Sequence, residues 1–280
     1  MKNYLFIFTL LFFININLQA QNNNTQTAFY NIGLGGVMSS IGAAINKKPN
    51  EKLGKVMLKG FLQGALGGTV VYGSKQMVYH FNKKNKLENL WMSKLVNSAG
   101  ISIIENASLN NNFYDKWHLN IGFNRIELDT KNKLKLSYKL MPTALIGTFI
   151  AANNNKFNFK YTVQTLTPIF ISKNTDRPTT SVNSIHLKQS DVRRSMAHEF
   201  IHTLQYDDFM SVNVFFNKQK IKWTNKYSFV HSQSKWLYID LPGGITLRSF
   251  YILENNNQKC YYDNFFENEA NFYSNKKLCP

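Results

Sequence analysis

Two uncharged stretches near the N-terminus, residues 28–45 and 60–74, carry small residues at close intervals, with Gly35, Ser39 and Gly42 in the first and Gly60, Gly64 and Gly68 in the second. A basic connector with Pro49 separates them. Small residues about four apart let helix backbones approach closely, so the pair reads as a helical hairpin. Each apolar run is shorter than the roughly 20 residues that span a bilayer comfortably. A hairpin that enters or lies on a membrane and a tightly packed soluble pair both satisfy the pattern. Residues 85–110 continue the helical period through Leu87, Leu90, Leu95, Ile101 and Ile104.

From Trp117 the period changes to two. Leu119, Ile121 and Phe123 alternate with polar neighbours, and after residues 129–132 so do Leu134, Leu136, Tyr138 and Leu140, a hairpin signature. Phe157, Phe159, Tyr161 and Val163 repeat the alternation, and residues 166–172 give a further strand. Residues 212–216, 220–223, 236–239 and 246–253 read as strands or extended segments. Between these groups, residues 189–210 contain no Gly or Pro, and Ser190 or Asp191 stands where an N-cap belongs. Val192, Met196, Phe200 and Leu204 fall on one face.

That helix holds His198-Glu199-Phe200-Ile201-His202. His198 and His202 lie one turn apart and project together, a spacing at which two imidazoles hold one metal ion, with Glu199 beside it as a proton acceptor. A chance match is expected roughly 0.004 times in a chain of this composition. A catalytic zinc needs a third protein ligand and an open fourth position. Residues 203–208, Thr-Leu-Gln-Tyr-Asp-Asp, supply neither Gly nor a third His. A later segment, Phe266-Glu267-Asn268-Glu269-Ala270, supplies two glutamates and a small residue that lets helices approach.

Together the motifs resemble the gluzincin arrangement of zinc metallopeptidases, in its His-Glu-x-x-His-x-x-Gln … Glu-x-Glu-Ala form. The resemblance covers residues 185–275. It implies Zn²⁺ as cofactor, with His198, His202 and Glu269 as ligands, Glu199 as general base, and a peptide or protein as substrate. Glu267 is the runner-up ligand, and a solvated acid on the helix face is the simpler expectation for it. The family often places an Asp after the ligand Glu; here Asn271 and Tyr273 stand near that place. His231 is more simply a surface histidine.

Residues 1–20 read as a secretory signal: basic Lys2, an apolar run from Leu5 to Phe13, and Leu18-Gln19-Ala20 as cleavage site. Export places the chain in the periplasm or outer envelope, an oxidising setting. Cys260 and Cys279, the only two cysteines, bracket the second motif. A disulfide between them and two free thiols are both open readings. The formal charge is +17, with Lys and Arg numbering 33 against 16 acids. This favours anionic membrane surfaces as partners; no nucleic-acid-binding motif accompanies it. Arg193, Arg194, Asp207 and Asp208 flank the motif and argue against a protease site inside hydrocarbon. The expected organisation is α+β. A signal at 1–20 precedes a small-residue-rich helical subdomain at 21–110. Residues 111–280 then form a metallopeptidase-like domain, in which an antiparallel sheet packs with the active-site helix and the later Glu-bearing helix. The alternative is a non-enzymatic envelope protein with a vestigial or structural metal site.

Overall fold

In the computed structural model, residues 24–153, 155–172, 177–257 and 264–275 are described. Residues 1–20, read above as a signal, and both cysteines lie outside them. The small-residue stretches form α1 (Asn24–Ile45) and α2 (Leu53–Lys83), which pack side by side with α3 (Leu90–Ser108). A Cβ on Gly35 would lie 2.5 Å from the carbonyl oxygen of Gly64, so this crossing requires glycine. Among the described residues, α1 is the one helix long and apolar enough to cross a membrane. Thr27, Asn31, Gly35 and Ser39 on it are buried.

The alternating segment forms β1 (Lys116–Ile121), β2 (Asn124–Asp129) and β3 (Lys135–Leu140), an antiparallel sheet in that order. The β1–β2 turn is Gly122-Phe123, with Ile121 facing Asn124 and Gly122 at φ 57°, a left-handed conformation that favours glycine. Then come α4 (Pro142–Ala152), β4 (Lys156–Phe157), α5 (Phe159–Thr165), β5 (Ile169–Ser172), β6 (Thr179–Ser181) and β7 (Ser184–Lys188). The alternation from Phe157 to Val163 does not become one strand. Asn158 caps α5 by accepting a hydrogen bond from the Tyr161 amide, and the helix begins there. The second sheet runs β4-β5-β7-β6; its β5–β7 pair is parallel and its other pairs are antiparallel. The fold is therefore α+β, with small, mainly antiparallel sheets and a majority of helix.

The motif helix is α6 (Val192–Asp208). Its face of Val192, Met196, Phe200 and Leu204 is buried against Ile169, Ile171, Ile185 and Leu187 of the second sheet. Beyond it, the segments read as extended are helical: a 3₁₀ turn at Met210–Phe216, α7 (Asn217–Lys226), α8 (Ser228–Trp236) and α9 (Leu241–Asn257), before α10 (Phe265–Ser274). Leu247 and Tyr251 of α9, four apart, pack on the Phe209–Phe266 cluster, which a strand could not achieve from one face. In α7 and α8 no residue is buried. The apparent period of two in Lys220-Ile221-Lys222-Trp223 had no core to point at.

Helices α2 and α3 are tied to the rest by buried ion pairs. Lys75 of α2 meets Asp208 at 2.7 Å and Glu269 at 2.9 Å; Lys94 of α3 meets Asp207 at 2.8 Å. Asp207 and Asp208 are thus interior counter-ions and not a charged flank in solvent. Lys94→Met is expected to destabilise the protein by roughly 3–5 kcal/mol, because it strands the Asp207 carboxylate. Urea denaturation checks this, and a loss below about 1 kcal/mol would show the pair to be solvated.

A second buried network lies between α3 and the first sheet. Arg125 contacts Glu105 through Nη1 (3.2 Å) and Nη2 (2.6 Å) and Glu127 through Nε (2.8 Å). His118 sits 3.7 Å from Glu105, yet burial first, and Arg125 second, lower its pKa to about 4. It is therefore neutral at pH 7, and the contact is not an ion pair there. The unfolded chain takes up this proton near pH 6.5 and the folded chain only near 4. The stability held above pH 6.5 is therefore lost as the pH falls through that window, by about 3 kcal/mol in all. His118→Gln is expected to flatten this part of the stability–pH curve; an unchanged slope in denaturation between pH 4.5 and 6.5 would contradict it.

Candidate metal centre

Helical spacing places His198 and His202 on the face of α6 opposite its core stripe, with the two Nε2 atoms 3.2 Å apart. The third member comes from α10. Asn264 caps that helix by accepting from the Phe266 amide at 2.9 Å, and Phe265 and Phe266 anchor it in an aromatic cluster with Tyr30, Phe209 and Tyr251. The next residue, Glu267, then points at both histidines. Its Oε2 lies 3.2 Å from His198 Nε2 and its Oε1 lies 3.5 Å from His202 Nε2. Tyr251 of α9 donates to the same Oε1 at 2.8 Å.

These separations test the donor set against a metal. In a tetrahedral site with ligand bonds of about 2.0–2.1 Å, neighbouring donors stand roughly 3.3–3.4 Å apart. The two imidazole nitrogens are 3.2 Å apart and the two oxygens of Glu267 lie 3.2 Å from one and 3.5 Å from the other, so the carboxylate spans both, and one donor atom from each of the three residues falls within 4.8 Å of the others. Two imidazoles and one carboxylate are also a donor chemistry that zinc takes. Among the described residues these three form the group able to share an ion.

Glu269, the favoured third ligand by sequence, is not beside the histidines. Two positions along a helix turn a side chain by about 200°, so Glu267 and Glu269 cannot both face them. Glu269 instead accepts from Lys75 Nζ (2.9 Å), Gln205 Nε2 (2.9 Å) and Asn31 Nδ2 (3.2 Å). It still reaches the centre, through Gln205. That amide donates to Glu269 and to the Phe266 carbonyl, so its Oε1 accepts from His202 Nδ1 at 2.8 Å. A proton is thereby held on Nδ1, which leaves Nε2, the atom facing His198 and Glu267, as the one that would ligate a metal once its own proton is displaced. Asn271 and Tyr273 do not take this role. Asn31 of α1 and Lys75 of α2 do support it, and no motif in the sequence marks either.

The charges agree with a cation site. Burial opposes protonation of His202, but Glu267 overrides it and raises the pKa to about 9. Burial would raise Glu267, yet the two histidines hold it far below the usual carboxylate range. A divalent cation would compete with that proton for the same three side chains, so metal uptake would release it.

Glu199 is buried beside His198 on α6. Its Oε2 accepts from Thr180 Oγ1 at 3.0 Å, and the same hydroxyl lies 2.8 Å from the Glu199 carbonyl oxygen. Thr180 sits on β6, at the edge of the second sheet. Nothing in the sequence singles out Thr180. His231 lies on α8 and outside this cluster. Compared with family models, curated proteins and solved structures, the chain matches none.

Proposed function

We propose that the chain is an exported zinc-dependent metallopeptidase of gluzincin-like design, with His198, His202 and Glu267 as ligands and Glu199 as general base. The observation that carries this reading is the convergence of three donors, one atom from each within 4.8 Å of the others, with a glutamate next to His198 in the chain. Zinc held there would acidify a water and polarise a scissile carbonyl. Glu199 accepts the proton of the attacking water and returns it to the leaving amine. Thr180 holds one carboxylate oxygen of Glu199 and so aims it. Gln205 and Glu269 keep His202 in the ligating tautomer. β6 is an edge strand next to Glu199, so an extended peptide added along it would pass the base.

The test is digestion of a mixed peptide library by the zinc-loaded mature protein, with and without chelator. Cleavage abolished by chelator and restored by zinc is expected. Cleavage indifferent to chelator, or none with zinc supplied, contradicts the reading.

We also infer an anionic lipid surface as the place of work. Residues 209–239 contain five lysines and no acid. Ile221, Trp223, Phe229 and Trp236 are exposed on α7 and α8. Basic helices that display Trp and Phe bind the interface of anionic bilayers. The full chain is expected to sediment with phosphatidylglycerol vesicles and to be released by salt, and less so after Trp223→Ser with Trp236→Ser. Equal sedimentation with phosphatidylcholine vesicles would contradict this.

A further inference from the structure

Away from the metal centre, a cavity of about 110 Å³ opens between α3, the first sheet and α7. It is large enough for several waters or one tetrahedral oxyanion. Its charged lining is unbalanced: Lys116, Arg125, Lys139 and Lys220 stand against Glu105 and Glu127, an excess of two positive charges. His118, also in the lining, adds none at neutral pH.

Both carboxylates are already taken. Glu105 receives the Arg125 fork and the Tyr238 hydroxyl, the latter at 3.0 Å. Glu127 receives Lys116 at 2.7 Å, Arg125 at 2.8 Å and Lys139 at 3.2 Å. Arg125 is spent on the two glutamates and stacked on the Tyr238 ring at 3.8 Å. Lys116 and Lys139 each keep N–H groups beyond the one aimed at Glu127. Lys220, on α7, has no carboxylate in ion-pair contact among the described residues.

We propose that this cavity binds a phosphate dianion, free or as a monoester, through Lys220, Lys116 and Lys139. The excess charge matches that dianion, and the three lysines line one cavity in which Lys116 and Lys139 share the single carboxylate of Glu127. The electrostatics agree. Partial burial in the cavity first, and then Lys139, hold Lys220 down at about 8, and burial also lowers Lys139. A bound dianion relieves both.

The experiment is calorimetric titration of the full mature chain with inorganic phosphate at pH 7, repeated with glycerol phosphate. Saturable binding near one per chain is expected. Lys220→Gln should weaken it by about tenfold, while Lys220→Arg and the control Lys226→Gln should leave it within about threefold. Circular dichroism confirms that the variants are folded. In NMR titrations of the lysine side chains, phosphate should raise the Lys220 pKa. Binding of phosphate alone identifies the free ion as ligand, and binding of both extends the site to monoesters. No saturable binding by the wild type, or equal loss in Lys226→Gln, would overturn the proposal.

Discussion

Glu199→Gln is expected to lower peptide hydrolysis by about a thousandfold, within the range for removing a positioned general base, while zinc stays bound. The amide has the shape of the carboxylate and can still accept from Thr180, whose hydroxyl lies 3.0 Å from Oε2. It leaves His198, His202 and Glu267 in place, so all three donors are kept. What it cannot do is take a proton from water. Steady-state rates on one cleaved peptide, together with metal content, separate the two effects. A variant that cleaves at close to the wild-type rate removes Glu199 from the base role.

The second large effect concerns the two glutamates of α10. Glu267→Ala deletes a donor from the triangle. A structural zinc site is worth about 10–16 kcal/mol over its ligands, so losing one should weaken zinc roughly a thousandfold. Glu269→Gln changes only a neighbour. Its carbonyl can still accept from Lys75, but its charge is gone and the Gln205 contact is weaker. The expected cost is about 10- to 100-fold. Competition with a chromophoric chelator measures both. If Glu269→Gln costs more than Glu267→Ala, the ligand assignment is reversed.

The helix that carries the chemistry was legible in the sequence because two periodicities coincide on it. Val192, Met196, Phe200 and Leu204 mark a core stripe, and His198 and His202 mark the other face. Gln205 was legible as part of the motif, and its role became visible only with its partners. The choice between Glu267 and Glu269 was not legible. Both lie in one short motif, and the rotation of α10 is set by residues distant in sequence: Tyr30 and Phe209, which hold Phe265 and Phe266, and Lys75 across the core. Nor did the sequence show that α1 and α2 belong to the site. Asn31 and Lys75 look like ordinary polar positions until the fold brings them to Glu269. The helices after residue 209 were read as extended because alternating Lys and apolar residues imitate a half-buried strand. On α7 no residue is fully buried, and the apolar Ile221 and Trp223 are exposed.

The alternative reading is a non-enzymatic envelope protein with a vestigial or structural metal site. A structural ion would call for four protein donors, and the described residues bring together three. The most direct test is the metal content of the purified mature protein after dialysis, by mass spectrometry. One zinc per chain is expected, retained against buffer and removed by chelator. No zinc in the wild type, even after zinc is supplied and excess washed away, would contradict a metal centre and leave His198, His202 and Glu267 as a buried ion-pair cluster.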